Sequence, residues 1–219
     1  TLHNTLFPYT TLFRSTEDIE VGDSGYQIRG APERAVTLAE IAEAAYDGDV
    51  PEGMEPGLEA TSHYDPPNYT FPYGTHVAMV EVEPETGEIT IDRYLAIDDV
   101  GNQINPKIVE GQVLGGVVQG LGQAMYENVE YDENGNLISG SLQDYAIPKA
   151  EHVPELEWDC TVTPCPHNLL GVKGVGEAGA IAAPPAIVNA VIDALAPLEI
   201  TNLDMPLTPE RVWNAIETA

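Results

Sequence analysis

A glycine-rich segment with a single carboxylate is the first feature of this sequence that could carry chemistry. Residues 171–179 read Gly-Val-Lys-Gly-Val-Gly-Glu-Ala-Gly, which places four glycines and Glu177 in nine residues just before a predicted helix. Glycines let a backbone approach a flat ligand closely, and a carboxylate beside a water-poor site can act as a base. Glu177 could equally be an exposed acid that offsets the dipole at a helix start, so spacing alone leaves both roles open.

The same segment contains the spacing Gly-x-Gly-x-x-Gly, at Gly174, Gly176 and Gly179, which also occurs in dinucleotide-binding loops. That fingerprint requires a buried strand directly before it, and the residues at 163–168, Thr-Pro-Cys-Pro-His-Asn, cannot form one. Glu177 would also bring negative charge to the position where a pyrophosphate needs backbone N–H donors. The sequence therefore argues against a dinucleotide site here.

A second group of polar residues precedes and enters a glycine-rich helix. Residues 99–106 read Asp-Val-Gly-Asn-Gln-Ile-Asn-Pro, and Gln112 follows among the glycines of residues 111–120. We expect Gln112 to be buried, and a buried amide must find hydrogen-bond partners. A polar heterocycle or a phosphate could supply them, or the side chain could tie down a neighbouring loop.

Two cysteines and a nearby histidine could suggest a metal site. Cys160, Cys165 and His167 have the spacing Cys-x4-Cys-x-His, which lacks a fourth ligand and matches no zinc pattern. We predict a structural role for these side chains and no metal ligands among them. Two cysteines are also too few for a disulfide framework and are typical of a reducing compartment.

Acidic residues dominate the charge of the chain. There are 36 Asp and Glu against 8 Lys and Arg, which gives a formal net charge of −28. This balance excludes nucleic acid as an expected partner, because a polyanion requires a basic surface. An acidic surface of this kind is typical of a protein adapted to a salt-rich cytoplasm; an acidic mesophilic protein and a surface that docks a basic subunit are the alternatives. No apolar run approaches the ~18–20 residues of a membrane span.

Local patterns predict several elements that would position these residues. Thr37 with Glu40 forms a capping-box signal at the start of an amphipathic helix over 36–46. Alternating apolar residues predict a hairpin of strands 75–82 and 88–97. Residues 47–69 lack periodicity and predict a long irregular connection.

The second half of the chain mixes further strands and helices. A buried helix is predicted over 109–126 and a last helix after the N-cap Thr208. Another helix is predicted over 180–195, with Pro184 as a possible start because proline suits a first turn. The remaining predicted strands cover 129–131, 137–138 and 156–163. Hairpins interleaved with helices, without regular alternation, indicate an α+β fold.

Four segments in fixed order give the sequence a family resemblance. These segments, at 111–120, 141–148, 163–168 and 171–177, resemble the large subunits of the molybdenum hydroxylases, the xanthine oxidase family, over roughly residues 61–216. The resemblance is greatest to the aerobic carbon monoxide dehydrogenases. Several ordered motifs make this assignment more specific than any single glycine-rich loop.

The resemblance implies a fold and a cofactor. It implies that residues 17–219 are the C-terminal portion of a molybdopterin-binding domain, and that the cofactor is molybdopterin cytosine dinucleotide with molybdenum, joined by copper in a carbon monoxide dehydrogenase. Residues 1–16 contain no acidic residue and are expected to be non-native or disordered. Glu177 is implied as the catalytic base or proton shuttle beside the metal. The residues implied to contact the cofactor are Gln112, Lys173, Gly174, Val175, Gly176 and Gly179.

The resemblance also implies an activity and partners. It implies oxidation of carbon monoxide to carbon dioxide with water, with another molybdenum hydroxylase acting on an aldehyde or N-heterocycle as the alternative. The implied partners are the rest of the large subunit and iron–sulfur and flavin subunits, in a dimer of heterotrimers in the cytoplasm or on the inner face of the membrane. The copper-holding cysteine loop belongs to an earlier part of that subunit, so we expect this chain alone to be an inactive cofactor-binding fragment. Cys165 departs from the family pattern, which has serine there.

Overall fold

The computed structural model describes residues 16–23, 25–47, 50 and 53–219. All but Thr16 of the predicted non-native segment 1–16 lies outside these residues. The chain divides into two compact units, Thr1–Tyr64 and Asp65–Ala219. The candidate site residues all belong to the second unit.

The first unit contains a small antiparallel sheet and one helix. Strands β1 (Ile19–Gly22), β2 (Gly25–Ile28) and β3 (Ala31–Val36) pair in that order, which the sequence patterns did not predict. Helix α1 (Leu38–Tyr46) has the predicted capping box: the Glu40 N–H donates to Thr37 Oγ1 and the Thr37 N–H donates to the Glu40 carboxylate. No residue of α1 is fully buried in the described structure: Ile41, Ala42 and Ala45 of its apolar stripe are half-buried, and Leu38 is exposed.

A three-stranded sheet forms one layer of the second unit. Strands β4 (Tyr73–Val82) and β5 (Ile89–Asp99) form the predicted antiparallel hairpin. Strand β6 (Leu156–Thr161) pairs with β5 in parallel, with Tyr94 opposite Leu156. The carboxyl ends of β5 and β6 therefore lie side by side, at the edge where the glycine-rich loop begins.

Two long helices cover the inner face of this sheet. Helix α2 (Pro106–Met125) is the predicted buried helix, with the Asn105 side chain accepting a hydrogen bond from the Ile108 N–H at its start. The core contains Tyr94 of β5 together with Val113 and Val117 of α2 and Ile187 of the following helix. These side chains fix the helices against the strands.

Helix α3 (Ala178–Ala194) begins earlier than predicted. Pro184 was a possible start, but it lies inside the helix together with Pro185. A proline ring inside a helix needs local space, and Gly120 of α2 supplies it, because a Cβ there would lie 2.8 Å from Pro184 Cδ. The earlier start makes Glu177 the N-cap residue of α3.

The remaining elements complete the second unit. Helix α4 (Pro209–Thr218) has Thr208 as its N-cap, as predicted, and contributes Val212 to a second apolar cluster with Leu207. The predicted strands 129–131 and 137–138 are reduced to a single bridge between Tyr131 and Leu137 around a turn. Short 3-10 helices are formed by Ala150–His152 and Ala196–Leu198 in this unit and by Thr16–Asp18 in the first unit. The α+β class is confirmed.

Candidate functional site

The glycine-rich loop of residues 171–177 is attached to the carboxyl end of β5. Gly101, just after β5, pairs with Val172 in an isolated antiparallel bridge. Gly101 and Gly171 both have left-handed backbone, with φ of 65° and 67°. A Cβ on Gly101 would collide with the Gly171 carbonyl, so glycine permits both the conformation and the close approach.

Two asparagines hold the beginning of this loop. The Asn102 N–H donates to the Gly171 carbonyl at 3.0 Å, and its side-chain Nδ2 donates to the Leu170 carbonyl at 2.7 Å. The Asn168 side chain accepts from the Val172 N–H at 3.1 Å and donates to the Val172 carbonyl at 2.9 Å. The loop entrance therefore has its backbone groups satisfied by neighbouring residues.

Lys173 makes a buried ion pair with Asp99 at the end of β5. Lys173 Nζ lies 2.7 Å from Asp99 Oδ1, and the two side chains are 8% and 0% exposed. The ammonium also lies 4.4 Å from the centroid of the Tyr73 ring. The side chain of Lys173 therefore faces the protein interior in this chain, and its contact with the cofactor stays a prediction.

The Asp99 carboxylate is held ionised by its surroundings. The Tyr73 hydroxyl and the Thr161 hydroxyl each donate to Oδ2 at 3.1 Å, and the Gly101 N–H donates to Oδ1 at 3.0 Å. Burial by itself raises the pKa of this carboxyl, but the Lys173 ammonium and the hydrogen-bond donors outweigh burial and bring the pKa well below its usual range. Sequence reasoning included Asp99 among the polar residues before α2 but missed its pairing with Lys173; the available signal was a lysine in the loop of a very acidic chain.

Gln112 ties α2 to the loop. Its Nε2 donates to the Gly176 carbonyl at 2.7 Å. The prediction that Gln112 is buried was wrong: the residue is exposed, because it lies on the face of α2 opposite Val113 and Val117. Of the two roles left open by the sequence, the structure shows the loop-tying hydrogen bond, and the Oε1 of the same amide can still accept a hydrogen bond from a ligand.

Glu177 is exposed at the start of α3. Its carbonyl accepts from the Ile181 N–H at 2.9 Å, but its side chain makes no capping hydrogen bond. The carboxylate therefore lies next to Gly176 at the surface and makes no hydrogen bond to the N–H groups of its own helix. Gly174 is exposed in the same stretch of loop, with its N–H donating to the Thr70 carbonyl at 2.8 Å.

Two other predicted cofactor contacts point inward. Val175 packs against the core that contains Tyr94 and Val113. Gly179 is buried where α3 meets α2, and a Cβ there would collide with the Val113 carbonyl. The missing side chain of Gly179 therefore makes room for α2 in this structure, and the contact of Gly179 with the cofactor stays a prediction. The structure brings Gln112, Gly174, Gly176 and Glu177 together at the surface.

The surface around Gln112 and Glu177 is unusually free of side chains. A Cβ built on Gly111, Gly115 or Gly176 would meet nothing within 4 Å. Exposed glycines inside a helix cost stability, so they are favoured where another group must approach the backbone. An amide oxygen and a carboxylate beside open backbone fit a flat, polar cofactor such as a molybdopterin.

Other polar side chains do not add to this surface. The His76 ring is hydrogen-bonded to the Tyr94 hydroxyl at 2.9 Å and lies 3.3 Å from Asp98 Oδ2 beneath the sheet. Cys165 is buried and Cys160 is half-buried. Among the described residues, no cluster of three or more His, Cys, Asp or Glu side chains could hold a metal ion. None of the described helices is long and apolar enough to cross a membrane.

Comparison with known proteins identifies relatives of this chain. The family model of the molybdopterin cofactor-binding domain matches residues 1–154. The chain is 43% identical to the carbon monoxide dehydrogenase large chain of Hydrogenophaga pseudoflava, over 88% of its length and 24% of that protein. It is 42% identical to the nicotine 6-hydroxylase large subunit of Paenarthrobacter nicotinovorans, over 92% of its length and 25% of that protein.

A solved structure agrees with these matches. The crystal structure of quinoline 2-oxidoreductase from Pseudomonas putida 86 superposes with a TM-score of 0.84 and 40% sequence identity, and the match covers 93% of this chain and 26% of that chain. The chain thus spans about a quarter of the length of the relatives it matches. The α+β arrangement of strands and helices described above is shared with that crystal structure.

Proposed function

We propose that this chain, which belongs to the molybdopterin cofactor-binding domains of the xanthine oxidase family, forms part of the large subunit of a molybdenum-dependent oxidoreductase. In this proposal Glu177 is the base or proton shuttle. The observation that supports this most directly is the exposed Glu177 carboxylate, with no capping hydrogen bond, beside the open backbone of Gly176. An acid that served only the helix dipole would not need that glycine surface.

The residues that hold the cofactor in this proposal are those at the exposed surface. Gln112 and the backbone of Gly174 and Gly176 provide hydrogen-bonding groups and close approach, while Lys173 and Gly179 act from inside the fold. When bound, the molybdenum cofactor supplies the redox and Lewis-acid chemistry. Glu177 takes up a proton on a carboxylate oxygen during turnover and releases it before the next cycle.

For the substrate, we propose carbon monoxide, oxidised to carbon dioxide with water. The 43% identity to a carbon monoxide dehydrogenase large chain supports this. In this proposal the cofactor is molybdopterin cytosine dinucleotide with a copper ion beside molybdenum, and the electrons leave through iron–sulfur and flavin subunits. The rest of the large subunit, with its copper-holding cysteine loop, completes the site in the cytoplasm.

A second candidate is a hydroxylase of N-heterocycles. The nicotine and quinoline enzymes match at 42% and 40% identity, close to the value for the carbon monoxide enzyme. Copper analysis and substrate assays of the complete enzyme separate the two candidates. Stoichiometric copper with carbon monoxide-dependent dye reduction supports the first candidate, and copper-free turnover of quinoline or nicotine supports the second.

The role of Glu177 is tested by Glu177→Gln in the complete enzyme. We expect normal molybdenum content and turnover reduced by about 10²–10⁴-fold, the usual contribution of a positioned acid or base. Glu210→Gln is the matched control, since Glu210 is also an exposed acid in the first turn of a helix. Equal turnover in wild type and Glu177→Gln would contradict the proposal.

The expectation that this chain alone is an inactive fragment can be tested with the isolated chain. Expressed by itself, the chain is expected to bind no molybdenum, because it spans only about a quarter of the relatives' length. Metal analysis of the purified chain measures this directly. Stoichiometric molybdenum would show that this portion suffices to hold the cofactor.

A further inference from the structure

We infer that the Lys173–Asp99 ion pair is a positioning device for Glu177, and that Lys173 acts through the loop and not as a ligand of the cofactor. This inference rests on the proposed role of Glu177. Lys173 lies four residues before Glu177, and its ammonium faces Asp99 and Tyr73 inside the protein. Its side chain is therefore turned away from the surface at which Glu177 is exposed.

The segment from Lys173 to Glu177 is held by hydrogen bonds at Lys173, Gly174 and Gly176. The Lys173 N–H donates to the Val100 carbonyl at 2.8 Å, so backbone and side chain both attach this residue to the end of β5. After it, Gly174 donates to Thr70 at 2.8 Å and Gly176 accepts from Gln112 at 2.7 Å. Displacement of Lys173 would thus be transmitted along a short segment to the carboxylate.

A strong anchor is needed because the loop itself is flexible by composition. Gly171, Gly174 and Gly176 have more backbone freedom to lose on ordering than other residues. The open surface at Gly176 supplies no packing against this freedom. A buried ion pair is strongly directional, and breaking it by removing one partner leaves an uncompensated charge. The pair therefore favours a single loop conformation over alternatives in which Lys173 leaves Asp99.

The same sheet offers a matched control. Arg93 on β5 pairs with Glu157 on β6 at 2.6 Å, but these side chains are 52% and 45% exposed. An exposed pair contributes little to stability and restrains no loop. Arg93→Met therefore removes one cationic group from the same sheet without touching the loop of residues 171–177.

The first measurement is hydrogen exchange of the 219-residue chain. Lys173→Met, which keeps the aliphatic stem, is expected to speed the exchange of the hydrogen-bonded backbone amides of residues 172–174 by about tenfold or more, since local opening becomes easier. Arg93→Met is expected to leave these amides unchanged. Asp99→Asn removes the other charge and is expected to act like Lys173→Met, so it replaces that variant if the latter does not fold. Unchanged loop exchange in the folded variants would overturn the inference.

The second measurement uses the complete molybdenum enzyme. Lys173→Met is expected to lower kcat by about a hundredfold, the effect of displacing a reacting group by about 1 Å, with molybdenum content and KM unchanged. Lys173→Arg keeps the charge and is expected to restore most of kcat. Loss of molybdenum in proportion to turnover, or a rise in KM alone, would identify Lys173 as a binding residue and overturn the inference.

The two proposals fail in different ways. If Glu177→Gln keeps full turnover while Lys173→Met still loosens the loop, the role of Glu177 is wrong and the anchoring of the loop stands, but that anchoring no longer positions a base. If Glu177→Gln abolishes turnover while Lys173→Met changes neither loop exchange nor kcat, the role of Glu177 stands and the positioning inference is wrong.

Discussion

The amide of Gln112 donates a 2.7 Å hydrogen bond to the carbonyl of Gly176, the residue directly before Glu177. This bond joins the exposed face of α2 to the loop that carries the proposed base. Both residues are exposed, so water can replace the bond when the side chain is removed. Gln112 therefore contributes little to the stability of the folded chain alone, and in the proposed function its main contribution is to cofactor binding.

Gln112→Ala should separate these two roles. We expect the free energy of unfolding of the chain to fall by less than about 1 kcal/mol, while the molybdenum content of the complete enzyme after dialysis falls about tenfold, as is usual for groups that support a metal site. Urea denaturation and metal analysis measure the two quantities. Gln119→Ala, seven residues further along α2 and also exposed, is the control; equal molybdenum retention in both variants would refute the prediction.

The Asp99 carboxyl should make stability depend on pH in acid. Its folded pKa is lowered although burial alone raises it, because Lys173 and the hydrogen-bond donors outweigh burial. The unfolded pKa is about 3.9, so the stabilisation is fully present above that pH and is lost as the pH falls towards the lower folded pKa. Asp99→Asn is expected to cost about 3–5 kcal/mol near neutral pH. The difference in the free energy of unfolding between wild type and Asp99→Asn should decrease below pH ~4.

Urea denaturation of wild type and Asp99→Asn between pH ~3 and ~7 measures this difference in the free energy of unfolding. The comparison cancels the contributions of the other carboxylates that titrate in the same range. A difference that stays constant, or increases as the pH falls, would show that Asp99 is not stabilised as an anion in the folded state.

Alanine substitutions at two neighbouring glycines of α2 are expected to change the stability of the chain in opposite directions. A Cβ on Gly116 would lie 2.8 Å from the Ala180 N of α3, whereas a Cβ on Gly115 would meet nothing within 4 Å. Gly116→Ala is expected to cost about 1–3 kcal/mol through overpacking, and Gly115→Ala to add about 0.5–1 kcal/mol through helix propensity. Thermal unfolding of the chain measures both. A stabilising Gly116→Ala would show that α2 and α3 pack less closely than described.

Features governed by nearby residues were predictable from the sequence. The capping box of Thr37 and Glu40, the N-cap Thr208 and the hairpin before and after residues 83–88 all depend on contacts within a few positions. The exposed Glu177 at a helix start was also within reach, because glycines and a following apolar pattern mark that position.

Features that depend on distant residues were not predictable. The parallel pairing of β6 with β5 joins Tyr94 to Leu156, and no local pattern specifies it. The ion pair of Lys173 with Asp99 joins residues 74 positions apart, and no local pattern indicates it. Pro184 was considered as a possible start of the helix predicted over 180–195, because its accommodation inside the helix depends on Gly120 of another helix. In each case tertiary packing overrode the local signal.

The net charge of −28 should make the stability of the chain depend on salt. With 36 acidic against 8 basic residues, repulsion between surface carboxylates opposes the compact state, and its range falls from about 30 Å at 0.01 M salt to about 3 Å at 1 M. We propose that the surface is adapted to a salt-rich cytoplasm. We therefore expect the Tm to rise by at least about 10 °C between 0.05 M and 2 M KCl. A stabilisation of about 1 kcal/mol already shifts the Tm of a domain of this size by ~2–4 °C. Calorimetry of the chain at a series of KCl concentrations measures the change.

Sodium sulfate, which also strengthens apolar burial, should raise the Tm further at equal ionic strength. A Tm that is level above about 0.2 M KCl, where exposed charges are already largely screened, would instead indicate an ordinary acidic protein, because adaptation to high salt requires continued stabilisation beyond simple screening.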